Sequence, residues 1–182
     1  RSPATQEFIW EGITEGVIQA YHSDHAGYRF NDPEGKKVHG DTAPFNRIPN
    51  GVPGLETRLP ILFSEGFRKG RIDLRCFVEL TATNPARIFG LYPRKGTIMV
   101  GSDADIVIWD PEKHVTLSID ALHDNMDYTP YEGMEVEGWP VTTLSRGRLV
   151  WHEGAVLGEP GAGRLLSRGK PQTAELRRKT ND

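Results

Sequence analysis

The chain has 182 residues, 37% of them hydrophobic, with 22 Lys and Arg against 25 Asp and Glu and a formal net charge of −3. That length allows one ordinary domain or parts of two, and the balanced charge leaves no electrostatic footprint for nucleic acid. One cysteine, Cys76, excludes an intramolecular disulfide and a cysteine-based zinc knuckle, and no apolar run approaches the ~20 residues that span a membrane.

Ser2-Pro3 predicts a helix start, a hydroxyl cap followed by Pro at the first helical position. Phe8, Ile9, Ile13 and Val17 recur at helical spacing, and Gly16 can stop the helix. Val17 to Tyr21 reads as a short buried strand that delivers His22-Ser23-Asp24-His25 at its C-terminal end, where α/β barrels carry their chemistry. Residues 26 to 53 form a long polar loop of the kind that is usually functional or interfacial.

Helical spacing returns at Leu55, Leu59, Leu62 and Phe63, with Pro60 as an expected kink. A helix over Leu74 to Ala82 holds Cys76, which reads as a buried inert thiol, and Thr83-Asn84-Pro85 is expected to cap a short helix through Phe89. From Gly96 the period becomes two, with strands over Thr97 to Val100, Ala104 to Trp109, Val141 to Ser145 and Arg148 to His152. Ser145 to Arg148 is a hairpin corner, and residues 118 to 140 read as irregular. After Gly158 the chain resembles an arm, and Arg177-Arg178-Lys179 reads as a solvated tail. Arg1-Ser2-Pro3 runs straight into an amphipathic segment with no secretory leader, so a reducing, cytoplasmic setting is expected.

Two positions carry candidate chemistry. A carboxylate at the mouth of a barrel strand, Asp24, can ligate a hard or borderline metal and accept a proton from its bound water; it can equally be a simple cap. On a strand His22 would share its face and could support it, while His22 and His25 also read as ordinary loop histidines. Asn50, in Ile48-Pro49-Asn50-Gly51, offers a donor and an acceptor that match the alternating C=O and N–H groups of an imide, although the tetrapeptide is also a plain turn. Asp103 and Asp105 are assigned to turn and strand-start roles.

His22 to His25, Ile48 to Gly51, Leu62-Phe63-Ser64-Glu65-Gly66, Asn84 to Leu91, Lys95-Gly96-Thr97-Ile98, Gly101 to Asp110 and Tyr131 to Met134 together resemble the dihydropyrimidinase and D-hydantoinase family, from Arg1 to about Gly158. The Gly96 to Asp110 part is common to metal-dependent amidohydrolases at large; the Ser-Asp-His and Ile-Pro-Asn-Gly pair narrows the resemblance to hydrolases of cyclic amides.

The resemblance implies an α/β fold, the C-terminal part of an (α/β)8 TIM-like barrel followed by strands of a small β-sandwich-like domain. It divides the chain into barrel units at 1–95, a small β-domain segment at 96–157 and an arm or tail at 158–182. It also implies two zinc ions, a homotetramer, a small cyclic imide or ureide as substrate, and neither nucleic acid nor membrane as partner. Asp24 takes the place of the family's metal-ligating aspartate, which also relays a proton, and Asn50 that of the asparagine binding the ring amide. The family's His-x-His pair, carboxylated lysine, further metal histidines and oxyanion-side tyrosine are expected upstream, in an N-terminal part of the same enzyme or a complementing chain. Arg1 resembles the end of the family's Ser-Pro-Pro-Leu-Arg stretch, so Ser2 is not its substrate-binding serine. Allantoinase or dihydroorotase is the rival within the enzyme class, and a metal-free scaffold on the same fold is the rival outside it. A scaffold has no reason to keep a carboxylate at Asp24, which favours the enzyme.

Overall fold

Residues 2–172 are described by the structure, a computed structural model; Arg1 and the Arg177-Arg178-Lys179 tail lie outside the described residues. Helix α1 spans Pro3–Thr14, and the Ser2 and Thr5 hydroxyls meet at 3.1 Å at its start. Gly16 turns left-handed at φ 75° just beyond the C-cap Glu15, a conformation that glycine takes without a Cβ penalty. The loop that follows contains one 3-10 turn, Phe45–Arg47.

A helical layer comes next. Helix α2 (Arg58–Leu62) passes into a π-helical turn, Phe63–Arg68; α3 (Leu74–Val78) passes through another, Glu79–Thr83, into α4 (Asn84–Ile88). Pro60 sits in the first turn of α2, where the N–H it lacks would have no intrahelical partner, so it removes no helical hydrogen bond. Asp73 caps α3, accepting from Cys76 N at 2.6 Å. Thr83-Asn84-Pro85 is not a cap. The Thr83 hydroxyl donates to Gly96 O at 2.7 Å and Asn84 Nδ2 to Gln19 O at 3.0 Å, while the wider π turn accommodates Pro85, which has no N–H to give.

Strands β1 (Ile106–Thr116), β2 (Glu135–Ser145), β3 (Arg148–His152) and β4 (Ala155–Val156) form one antiparallel sheet in that order. Ser145 faces Arg148 across Arg146 and Gly147, at φ 50° and 76°, the positive pair that a two-residue primed hairpin turn requires. The irregular segment expected over 118–140 is shorter than that, because β2 already begins at Glu135; register shifts after Ile108 and Asp110 break the alternation that marks a strand in sequence.

Two expected strands do not form among the described residues. Val17 to Tyr21 bends at Val17 and Ile18 and has no ladder partner, Val17 is 71% exposed rather than buried, and Tyr21 N donates instead to Leu80 O at 3.0 Å. Thr97 to Val100 is likewise unpaired, with Ile98 and Val100 exposed. A strand is made by its neighbours' hydrogen bonds as much as by its own pattern.

One core cluster joins Ile13 of α1 to Leu62, Phe63, Ile72, Cys76, Phe77 and Leu80. The other is built on Leu117, Val136 and Trp139. Phe63 links the layers: it stacks on Trp109 at 4.7 Å, meets Phe77 edge-on at 5.5 Å, and lies against Gly138 of β2. From Val156 the chain returns to the helices, where Gly169 N donates to Gly90 O at 2.8 Å and Gln172 N to Arg87 O at 2.9 Å. The joint yields a prediction. Gly138 has φ 94°, and a Cβ there would fall 2.2 Å from Phe63 Cδ1, so Gly138→Ala should destabilise the fold by about 2–4 kcal/mol, combining left-handed strain with overpacking. Chemical denaturation of the two proteins measures it; a change under about 0.5 kcal/mol, the scale of neutral surface substitutions, refutes the joint.

Candidate active site

The two motifs lie side by side. Ala26 N donates to Val52 O at 3.2 Å, Gly54 N donates to His25 Nδ1 at 3.2 Å, and Gly51 packs so closely on Ala26 that a Cβ would fall 2.3 Å from the alanine methyl. Gly51 is in the left-handed region at φ 93°, so glycine is required there twice over. Because His25 Nδ1 accepts a hydrogen bond, the neutral ring carries its proton on Nε2.

Asp24 stands at the tip of its segment, exposed and left-handed at φ 46°, a region that Asp tolerates better than most residues. Among the described residues no hydrogen bond engages its carboxylate, so it is not a cap. His22 is exposed and makes no bond to Asp24; without a strand there, the shared face expected for the pair does not exist. Asn50 is exposed, and among the described residues no hydrogen bond involves it. Asp103 and Asp105 are structural as expected. Lys95 pairs with both and Arg94 with Asp103 at 3.0 Å, while Asp105 Oδ1 receives Arg146 N at 2.8 Å.

What holds the loop was not read from the sequence. The Lys36 ammonium donates to Pro49 O at 2.5 Å and to Gly51 O. Asp127 reaches across from the segment before β2 and accepts from Phe30 N at 2.6 Å, Asn31 N at 2.9 Å and Asn31 Nδ2 at 3.3 Å. Those backbone donors hold its carboxyl below the usual carboxylate range. Beneath the motifs, Arg58 Nη1 donates to Tyr21 O at 3.1 Å, and burial pushes the Tyr21 hydroxyl up. No sequence signal separates Lys36 from Lys37 or Asp127 from Asp124; only the folded loop does.

The described residues contain no group of three or more His, Cys, Asp or Glu side chains able to hold a metal ion. They do not fit a zinc centre by themselves, since such a centre takes at least three protein ligands. Asp24 can contribute one oxygen. A cavity of about 540 Å³ between the β2–β3 turn and residues 157–163, bordered by Arg146, Arg148 and Glu159, includes neither Asp24 nor Asn50. Among the described residues, no helix is long and apolar enough to cross a membrane.

Residues 3–150 match the amidohydrolase family, and the chain belongs to it. Within that family it is similar to the hydantoinases. It is 45% identical over 170 residues to D-hydantoinase of Ralstonia pickettii, covering 93% of this chain and 36% of that protein. It is 42% identical over 168 residues to D-phenylhydantoinase of Escherichia coli O1:K1 / APEC, covering 92% and 36%. The crystal structure of dihydropyrimidinase from Brevibacillus agri NCHU1002 superposes with a TM-score of 0.90 at 44% identity, over 96% of this chain and 37% of that one. The chain thus spans about a third of the length of the relatives it matches. Its fold class is α/β of the TIM-barrel type, and the described residues form a part of such a fold.

Two outcomes follow from the site. Asp127 has a depressed folded-state pKa, so its hold on the loop is complete above the unfolded value and is lost as pH falls through the folded one. Hydrogen exchange at Phe30 and Asn31, corrected for its intrinsic pH dependence, should accelerate on acidification below the ordinary carboxylate range, and Asp127→Ala should reproduce this at neutral pH. Unchanged protection in the variant would remove the anchor. Equilibrium dialysis of the 182-residue chain should show only weak zinc binding, and tight stoichiometric uptake would contradict the ligand count.

Proposed function

We propose that the protein carrying this chain hydrolyses the ring amide of dihydropyrimidines or 5-substituted hydantoins to N-carbamoyl amino acids. One observation supports this most: the segment that carries Asp24 and the turn that carries Asn50 are cross-linked by Ala26 to Val52 and by His25 to Gly54, so the two motifs belong to one neighbourhood. The similarity to D-hydantoinase and D-phenylhydantoinase gives the reaction class.

In this reading water adds to the ring carbonyl, the C–N bond breaks, and the leaving nitrogen gains a proton. Asp24 receives the proton of the attacking water and passes it to that nitrogen, a role open to an exposed carboxylate without a competing partner. Asn50 holds the ring by its amide edge and so sets which carbonyl faces Asp24. Were zinc bound in the intact protein, Asp24 would give it one of its ligands, and the ion would supply a water with its pKa lowered to ~7. The same reading takes residues 1–95 as barrel units, 96–157 as strands of a small β-sandwich-like domain and 158–182 as an arm, in a cytoplasmic homotetramer.

In the intact enzyme Asp24→Asn should cost at least about 10²–10⁴-fold in kcat with the fold unchanged, since the amide keeps the volume but cannot take a proton. Asn50→Ala should mainly raise KM, by roughly the 0.5–1.5 kcal/mol of one hydrogen bond. Steady-state kinetics on dihydrouracil and a 5-substituted hydantoin measures both. Near-normal kcat for Asp24→Asn would remove Asp24 from the chemistry.

A further inference from the structure

Lys36 spends its charge in an unusual way. An ammonium ordinarily faces a carboxylate or water. Here the Nζ is directed to two backbone carbonyls, those of Pro49 and Gly51, and among the described residues it has no ion-pair partner. The lysine is itself well placed for this. Lys36 N donates to Arg29 O at 2.9 Å, the Tyr28 ring centroid lies 5.5 Å from its ammonium, and the stretch from Arg29 is held from outside by Asp127. Gly35 makes the approach possible, because a Cβ there would lie 2.0 Å from Arg29 O.

The two carbonyls flank one residue, Asn50. We propose that Lys36 is the positioning residue of the imide-binding turn: holding the carbonyls on both sides with one cation fixes the peptide at Asn50 in a single conformation. This rests on the reading of Asn50 as the ring-binding residue. The clamp has a second effect. By engaging the carbonyls on either side it removes two acceptors that would compete with Asn50, whose own polar groups have no protein partner among the described residues, for the N–H groups of a cyclic ureide. Affinity then depends on a turn that is ordered before substrate arrives, which is where preorganisation acts.

The test uses the intact enzyme with Lys36→Met, which keeps the apolar stem and removes the cation, and Lys36→Arg, which keeps a cation. Loss of two charge-assisted hydrogen bonds should raise KM for dihydrouracil or a 5-substituted hydantoin about tenfold or more, with kcat within about twofold. Hydrogen exchange at the Ala26 amide, which donates to Val52 O, and at the Gly54 amide, which donates to His25 Nδ1, should accelerate in Lys36→Met, while exchange over Ile106–Thr116 stays unchanged and Lys36→Arg recovers protection. Unchanged KM overturns the proposal whether or not exchange changes, because a clamp that does not affect substrate is only structural. A general loss of protection, reaching β1, overturns it as well. Failure of the underlying functional reading has its own signature: the unsubstituted enzyme opens neither ring.

Discussion

One aromatic ring seated on a glycine holds the helical layer to the sheet. Phe63 starts the π turn after α2, stacks on Trp109 of β1, takes the edge of Phe77 from α3 and lies on the bare backbone of Gly138 in β2. Four elements therefore meet at one side chain, and the dispersion and quadrupole terms of its contacts act together. The neighbouring residue completes the joint with polarity: buried Ser64 accepts Glu137 N at 3.1 Å, which pairs a strand amide that would otherwise be stranded at the layer boundary. Arg68 and Glu137 close the exposed rim as an ion pair.

The position of the site is referenced to that joint through α2. Arg58, at the helix start, holds the Tyr21 carbonyl just before the Asp24 segment, and Gly54, which leads into the helix, holds His25. The loop beyond is kept in place largely by polar bonds to backbone, from Lys36 and Asp127, with little apolar cover. Such an arrangement suits a segment that has to be ordered and solvent-facing at once, because burial is not what orders it.

Sequence reasoning reached the features that are local. Gly16 as a helix stop, the Arg146-Gly147 corner, buried Cys76 and the structural use of Asp103 and Asp105 all depend on residues within a turn or two of one another. The features it missed are long-range. Val17 to Tyr21 and Thr97 to Val100 have strand patterns, but pattern cannot supply the partner whose hydrogen bonds make a strand. Thr83 and Asn84 have capping chemistry but use it on Gly96 and Gln19, the latter 65 positions away. Asp24 and Asn50 were legible as motifs; Lys36 was not, because one lysine in a polar loop looks like any other until both carbonyls converge on it.

The return of the chain over Gly90 is fastened by a different chemistry from the loop at the site. A Cβ on Gly90 would lie 2.3 Å from Gly169 O, so the two strands of backbone touch with no side chain between them, and amide-to-carbonyl bonds do the rest. Neither salt nor protons act on such a fastening directly, whereas the site loop relies on a carboxylate and an ammonium. The molecule thus has one clasp that solution conditions can open and one that they leave shut. Acidification should loosen the stretch at Phe30 and Asn31, which Asp127 holds, while the crossing at Gly90 still keeps the end of the described chain fixed to the helices.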